Sequence, residues 1–285
     1  MKTSILKLVC GVFSIAFLFS SCLGDSDNKI EIGSDLAFIT TMGSSYSKVA
    51  AVTGKGYGNM YIQSPQIDQL QEGQCYLLSY RITNLSANSS GYYTAEDFGA
   101  VPVKLNQTLG AATAPVVENN FAPTSFSLAY YSPSYFQSSS TTYVPLFGDR
   151  WVFNATTLLK EKDEVYMYFY YDKSKQQEEV NGVMTDIGDN KIIIDVRFKK
   201  ESFGDGVESN KQIMAVGNLS DIKRDFRRSD KFSFASGEKT RLVPIKFRYM
   251  KSVTEGNNTV NKETLDGTWN TDQVQFAFLY STEIE

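Results

Sequence analysis

The chain has 285 residues, with 28 Lys plus Arg against 32 Asp plus Glu, three Cys and no His. Histidine is the one side chain with an unperturbed pKa near neutrality, so its absence excludes Ser-His and Cys-His nucleophile pairs, the commonest general base and the imidazole metal ligand. A hydrophobic content of 42% with 13% aromatics excludes disorder and supplies packed cores for one large or two modest domains.

Lys2 and Lys7 form a positive start, and Leu8 to Phe19 is an apolar run long enough for a secretion signal and short for a membrane span. It leads into Leu18-Phe19-Ser20-Ser21-Cys22, which resembles the lipobox of bacterial lipoproteins. That resemblance implies a cleaved signal peptide over 1–21 and a mature chain anchored to the membrane by palmitate-type acyl chains at Cys22, which hold without a transmembrane helix. Asp25 and Asp27 resemble the acidic export tag behind such cysteines, which implies the outer membrane and an outward-facing protein. Residues 22–35 read as a flexible tether of Gly, Ser, Asp and Asn. Loss of 1–21 leaves 26 basic against 32 acidic residues, a charge of −6. With Cys10 removed and Cys22 acylated, only Cys75 remains, so no intrachain disulfide is expected. Its strand-like setting makes it a small buried hydrophobe.

The remainder predicts an all-β chain, a small OB-like barrel over 36–112 followed by an antiparallel β-sandwich over 113–285. Period-two alternation recurs at Tyr76, Leu78, Tyr80 and Ile82, at Ile192, Ile194, Val196 and Phe198, and at Val274, Phe276, Phe278 and Tyr280. Asp195 and Arg197 on the opposite face of the second run predict a sheet with one solvated side. Val165 to Tyr171 is apolar on both faces and reads as a central strand. Turns are expected at Gly54-Lys-Gly-Tyr-Gly58, Asn181-Gly182 and Asp266-Gly267, and short helices at Pro65–Leu70 and Leu219–Phe226. The boundary falls near 106–120, where Asn-Gln-Thr-Leu-Gly-Ala-Ala-Thr-Ala-Pro is small and uncharged.

The order of lipobox, acidic tag, a barrel opening Leu36-Ala-Phe-Ile-Thr-Thr, then Glu72-Gly73-Gln74 turning into an alternating strand and a Gly91-Tyr92-Tyr93 step, resembles the NigD-like lipoproteins of Bacteroidetes. That resemblance implies an OB-like domain plus a β-sandwich and a proposed link to bacteriocin operons, and it names no molecular activity.

Motifs with chemical content weigh toward structure. Gly54-x-Gly-x-Gly58 lacks the Gly-Lys-Ser/Thr ending of a phosphate loop. Ser45-Tyr-Ser-Lys48 matches Ser-x-x-Lys, but Ser26-Asp27-Asn28 precedes it in the tether and no Lys-Thr-Gly follows. Glu178-Glu179, Asp186 and Asp189 are carboxylates enough for glycoside hydrolysis, yet they cluster in a polar hairpin where solvation is their expected purpose. The basic run Lys223-Arg-Asp-Phe-Arg-Arg228 stands outside the barrel in an acidic chain, so no nucleic-acid partner is expected. Nothing implies a metal or another cofactor.

Phe121 to Phe153 holds ten aromatics with only Asp149 and Arg150 charged. Its first reading is burial between the domains. Its second is an exposed loop in which Tyr130, Tyr131, Tyr135, Phe136 and Tyr143 contact a sugar or a partner protein. The sequence therefore points to a non-enzymatic outer-membrane lipoprotein with a binding or protective role. The alternative is a glycan-binding accessory of a polysaccharide-uptake system.

Overall fold

The computed structural model describes residues 29–42, 46–89, 91–96, 98–108, 119, 121–130, 146–201, 206–270 and 276–282. The first unit is built from β1 (Ile30–Met42), β2 (Ser47–Val52), β3 (Met60–Gln63), α1 (Pro65–Asp68), β4 (Cys75–Ile82), β5 (Tyr93–Thr94) and β6 (Val103–Lys104). These strands form one sheet in the order β5-β3-β2-β1-β4-β6, antiparallel throughout except for the parallel β3–β5 pair. Alternation sorts its side chains: Ala37, Ile39, Val52, Ile62, Leu78, Tyr80 and Ile82 face one core with Ile67 of α1. Pro65 opens α1, and the Ser64 hydroxyl accepts from the Gln66 amide, an N-cap with proline in its favoured place.

The sheet curls toward closure without completing it. After β5, Glu96 N–H donates to the Arg81 carbonyl of β4 at 2.9 Å, so the two edges approach through isolated bonds and no ladder joins them among the described residues. The unit is thus a partly open OB-like sheet. Strand β1 also begins earlier than the sequence led us to expect. Ile30 and Ile32, within the span read as tether, pair with Ile82 and Tyr80 and are 6% exposed. A bulge between Ile32 and Asp35 interrupts the alternation and hid the strand.

The second unit contains β7 (Asn106–Gln107), β8 (Ser125–Tyr130), β9 (Arg150–Leu159), β10 (Glu164–Tyr170), β11 (Gln177–Val180), β12 (Val183–Asp186), β13 (Ile192–Glu201), β14 (Ser209–Asn218), α2 (Ser220–Arg227), β15 (Thr240–Glu255), β16 (Asn258–Asp266) and β17 (Ala277–Ser281). One sheet runs β7-β14-β9-β8, and a second runs β10-β13-β15-β16 with β17 also on β15. They pack face to face over an aromatic core in which Phe126, Trp151 and Phe153 meet Phe169, Phe198 and Phe247. The Phe153 and Phe169 rings lie 4.8 Å apart across the layers. The sandwich is mixed, not wholly antiparallel, since β7 runs parallel to β14 and β13 to β15.

Three strand-level expectations change. The run Val165–Tyr171, read as central, lies in β10 at the edge of its sheet. One of its faces enters the core through Val165, Met167 and Phe169, and its edge carbonyl at Met167 accepts from Thr108. Asp266-Gly267 does not reverse a hairpin. The β15–β16 turn is at Gly256 (φ 60°), whereas Gly267 (φ 127°) passes close against β15, where an added Cβ would lie 2.6 Å from the Ile245 carbonyl oxygen. The Asp195 side of β13 is covered, not solvated, as set out below.

The units share a small core of Ala51, Cys75 and Leu105 with Phe147, Val152 and Val216. The chain enters the second unit at Asn106 and Gln107, which pair with Ala215 and Val216. Residues 109–118, around the expected boundary, lie outside the described residues.

Candidate functional site

Of the sequence-derived contact residues, Tyr131, Tyr135, Phe136 and Tyr143 lie outside the described residues, as does Cys22. Tyr130 is described, and its ring packs 4.6 Å from that of Phe147 in the core shared by the two units. Phe126, Phe147, Trp151 and Phe153 of the same stretch are buried. The described aromatics of this segment therefore serve packing.

Other motifs also resolve into structure. Gly54 to Gly58 turns β2 into β3, and the buried Asp35 carboxylate accepts from Gly54 N–H and the Tyr80 hydroxyl, both at 2.8 Å, and from the Thr53 hydroxyl. Burial first and Asp35 second push the Tyr80 hydroxyl pKa up. Lys48, the amine of the Ser-x-x-Lys match, donates to the Asp68 and Leu70 carbonyls behind α1. Cys75 is fully buried in β4, and desolvation, opposed weakly by Arg150, pushes its thiol up to about 12.

The carboxylate hairpin is where new structure appears. On the outer face of β13 and β15, Asp195 accepts two hydrogen bonds from Arg248, and both residues are buried. Beside them the buried Gln176 side chain holds the Ile193 backbone of β13, donating to its carbonyl and accepting from its amide. Strands β11 and β12 continue from Gln176 as a separate hairpin. Glu178 uses both oxygens: one accepts from the Trp269 indole N–H at 2.6 Å, the other binds the Lys246 ammonium at 2.5 Å. Asp186 and Asp189 share Lys231, and the Gly188 amide and Lys231 hold the Asp186 carboxyl below its usual pKa.

These contacts fix Trp269 as one wall of a groove of about 480 Å³ whose lining joins the polar Asn190, Lys191, Glu238, Thr240 and Arg241 to the apolar Leu242, Pro244 and Leu279. The Lys246 ammonium stands 4.6 Å from the indole centroid and Lys191 5.7 Å, both within cation–π range. Glu238 accepts from Arg241 Nε at 2.7 Å. A rigid aromatic wall beside amide and charged side chains is chemistry suited to a polar, ring-shaped ligand. Sequence reasoning passed over Trp269, since a lone Trp in Gly267-Thr-Trp-Asn has no periodic neighbour to mark it.

A second groove, of about 570 Å³, lies beside α2 and is lined by Asp149, Ser220, Lys223, Arg224, Arg227, Arg228 and Tyr280. It gathers the four cations of the basic run read from the sequence.

No family model matches the chain, and no curated protein matches it. Among solved structures, an uncharacterised protein of Parabacteroides merdae is similar at 15% identity and a TM-score of 0.50, over 87% of this chain and 98% of that one. A NigD-like immunity protein of Bacteroides caccae is similar at 9% identity and a TM-score of 0.40, over 91% and 99%. The Parabacteroides likeness shows a shared fold.

Proposed function

We propose that this chain is a lipid-anchored protein of the bacterial outer membrane, facing the exterior, that binds instead of catalysing, and that it is a distant relative of the NigD-like lipoproteins. One observation carries the non-catalytic reading: the buried or half-buried carboxylates of Asp35, Asp195 and Glu178 have both oxygens held by internal donors. A catalytic acid or base must reach substrate with at least one such atom. Seven residues separate Cys22 from Ile30, so an acylated Cys22 would keep β1 within roughly 28 Å of the bilayer. In the native host, the wild-type chain is expected in the detergent phase of a Triton X-114 extract and Cys22→Ala in the aqueous phase. Protease added to intact cells should degrade the wild type. A Cys22→Ala chain that stays with the membrane defeats the anchor, and protection in intact cells defeats the outward orientation.

The second reading is a glycan-binding accessory of a polysaccharide-uptake system, with the contact moved from the 130–143 segment to the Trp269 groove. Its support is the indole fixed by Glu178 and Lys246 beside Asn190 and Lys191. Titration with soluble bacterial and plant polysaccharides should quench indole emission, and Trp269→Ala should abolish the binding heat. Equal affinity in the variant would refute the groove.

A further inference from the structure

Helix α2 closes one end of the sandwich by burying Ile222 and Phe226. At 3.6 residues per turn this leaves Ser220, Lys223, Arg224, Arg227 and Arg228 along one stripe and Asp221 and Asp225 on another side. The basic stripe lines the groove beside α2 together with Asp149 and Tyr280, so its lining has four cations and one carboxylate. The chain as a whole has a net charge of −4, so this groove opposes the sign of the molecule that carries it.

Asp149 binds Lys223 at 3.0 Å, and the Lys223 carbonyl accepts from the Tyr280 hydroxyl, which places the start of the stripe. Asp221 binds Arg224 at 2.6 Å in an exposed pair, a weak interaction in water. Arg224 thus stands three and four residues from Arg227 and Arg228, spacings at which like charges repel. Cations in a last helical turn do complement the helix dipole. That effect accounts for their sign, but it does not require them to line a concave surface together.

We propose that the groove beside α2 is a binding site for a phosphate-bearing anion, with the guanidinium groups of Arg224, Arg227 and Arg228 taking its oxygens. A guanidinium offers paired N–H donors that fit phosphate oxygens, and a divalent oxyanion relieves the repulsion along the stripe. The phosphate has two possible sources, an inorganic ion or a sugar phosphate ester, and two probes separate them. This site lies apart from the Trp269 groove and does not depend on the lipid anchor.

The experiment is calorimetric titration of the full chain at low salt with inorganic pyrophosphate and, separately, with glucose 6-phosphate. We expect saturable one-to-one binding of at least one probe, weakened tenfold or more in the double variant Arg224→Gln with Arg228→Gln. Both replaced side chains are exposed, so the ligand-free melting temperature should stay that of the wild type. Lys251→Gln, on the remote β15 hairpin arm, should change affinity less than twofold. Tighter pyrophosphate binding supports the site and assigns an inorganic ligand, while tighter glucose 6-phosphate binding supports it and assigns an ester. Heats that never saturate with either probe, as simple charge screening of a helix end would give, overturn the proposal. Equal affinity in the double variant and in Arg228→Gln alone to that of the wild type does so as well.

Discussion

Asp195 and Arg248 stand directly opposite each other in the parallel register of β13 and β15 and share two hydrogen bonds, Nε to Oδ1 at 2.7 Å and Nη2 to Oδ2 at 2.9 Å. Burial works against the Arg248 charge, but the bond and charge of Asp195 outweigh it and leave the guanidinium pKa raised. Breaking such a pair strands a charge, whereas replacing both partners need not. Asp195→Ala should therefore destabilise the chain by about 3–5 kcal/mol in urea unfolding, and Asp195→Leu with Arg248→Met by much less. A double variant as unstable as the single one would show that the pair contributes more than mutual neutralisation.

Cys75 should behave as packing. Its thiol is pushed up to about 12 by burial against an ordinary value of 9.0. Because the folded state holds the proton more tightly, the thiol imposes no penalty below pH 9, and stability falls as pH rises from there toward 12. At pH 8, iodoacetamide should leave Cys75 unlabelled in the folded protein and label it after denaturation, a difference read by mass spectrometry.

Gly217 of β14 sits against the other layer, and an added Cβ would lie 2.6 Å from the Phe169 ring. Overpacking of a closed core costs about 1–3 kcal/mol. Gly217→Ala should lower stability by that amount, and Phe169→Leu in the same chain should recover part of the loss in thermal unfolding. No recovery would place the strain elsewhere.

Gly267 positions Trp269. At φ 127° and with backbone atoms of Ile245 and Lys246 close to where a Cβ would stand, Gly267→Ala should displace the segment and loosen the indole from Glu178. Acrylamide quenching reads this directly, because Trp151 is 3% exposed and contributes a shielded background. Quenching should rise in the variant, and an unchanged value would mean that Glu178 and Lys246 alone hold the indole.

Legibility from the sequence was uneven for reasons that can be located. Pro65 behind Ser64, and Ile222 with Phe226 four residues apart, announce α1 and α2 because capping and helical spacing are local. Asn181-Gly182 announces a hairpin because positive φ at both residues is a local demand. The start of β1 at Ile30 was lost to a bulge, and the edge position of β10 was misread because an apolar strand gives no sign of how many neighbours it has.

What the sequence by itself determined is the all-β class, the two helices, the turns at Gly54 to Gly58 and at Asn181-Gly182, and the chemistry excluded by the absence of histidine. Each follows from residue identity or from spacing within a few positions. What only the tertiary structure decided is what covers each face. Asp195 reads as solvated until Arg248, 53 residues on, is brought against it. Trp269 becomes a groove wall only beside Glu178, 91 residues earlier, and the arginines of α2 line a groove only where the fold brings Asp149 and Tyr280 against the helix. Alternation fixes that a strand has two faces, but which one is buried is settled by non-local pairing, and that is where burial and charge combine into a site.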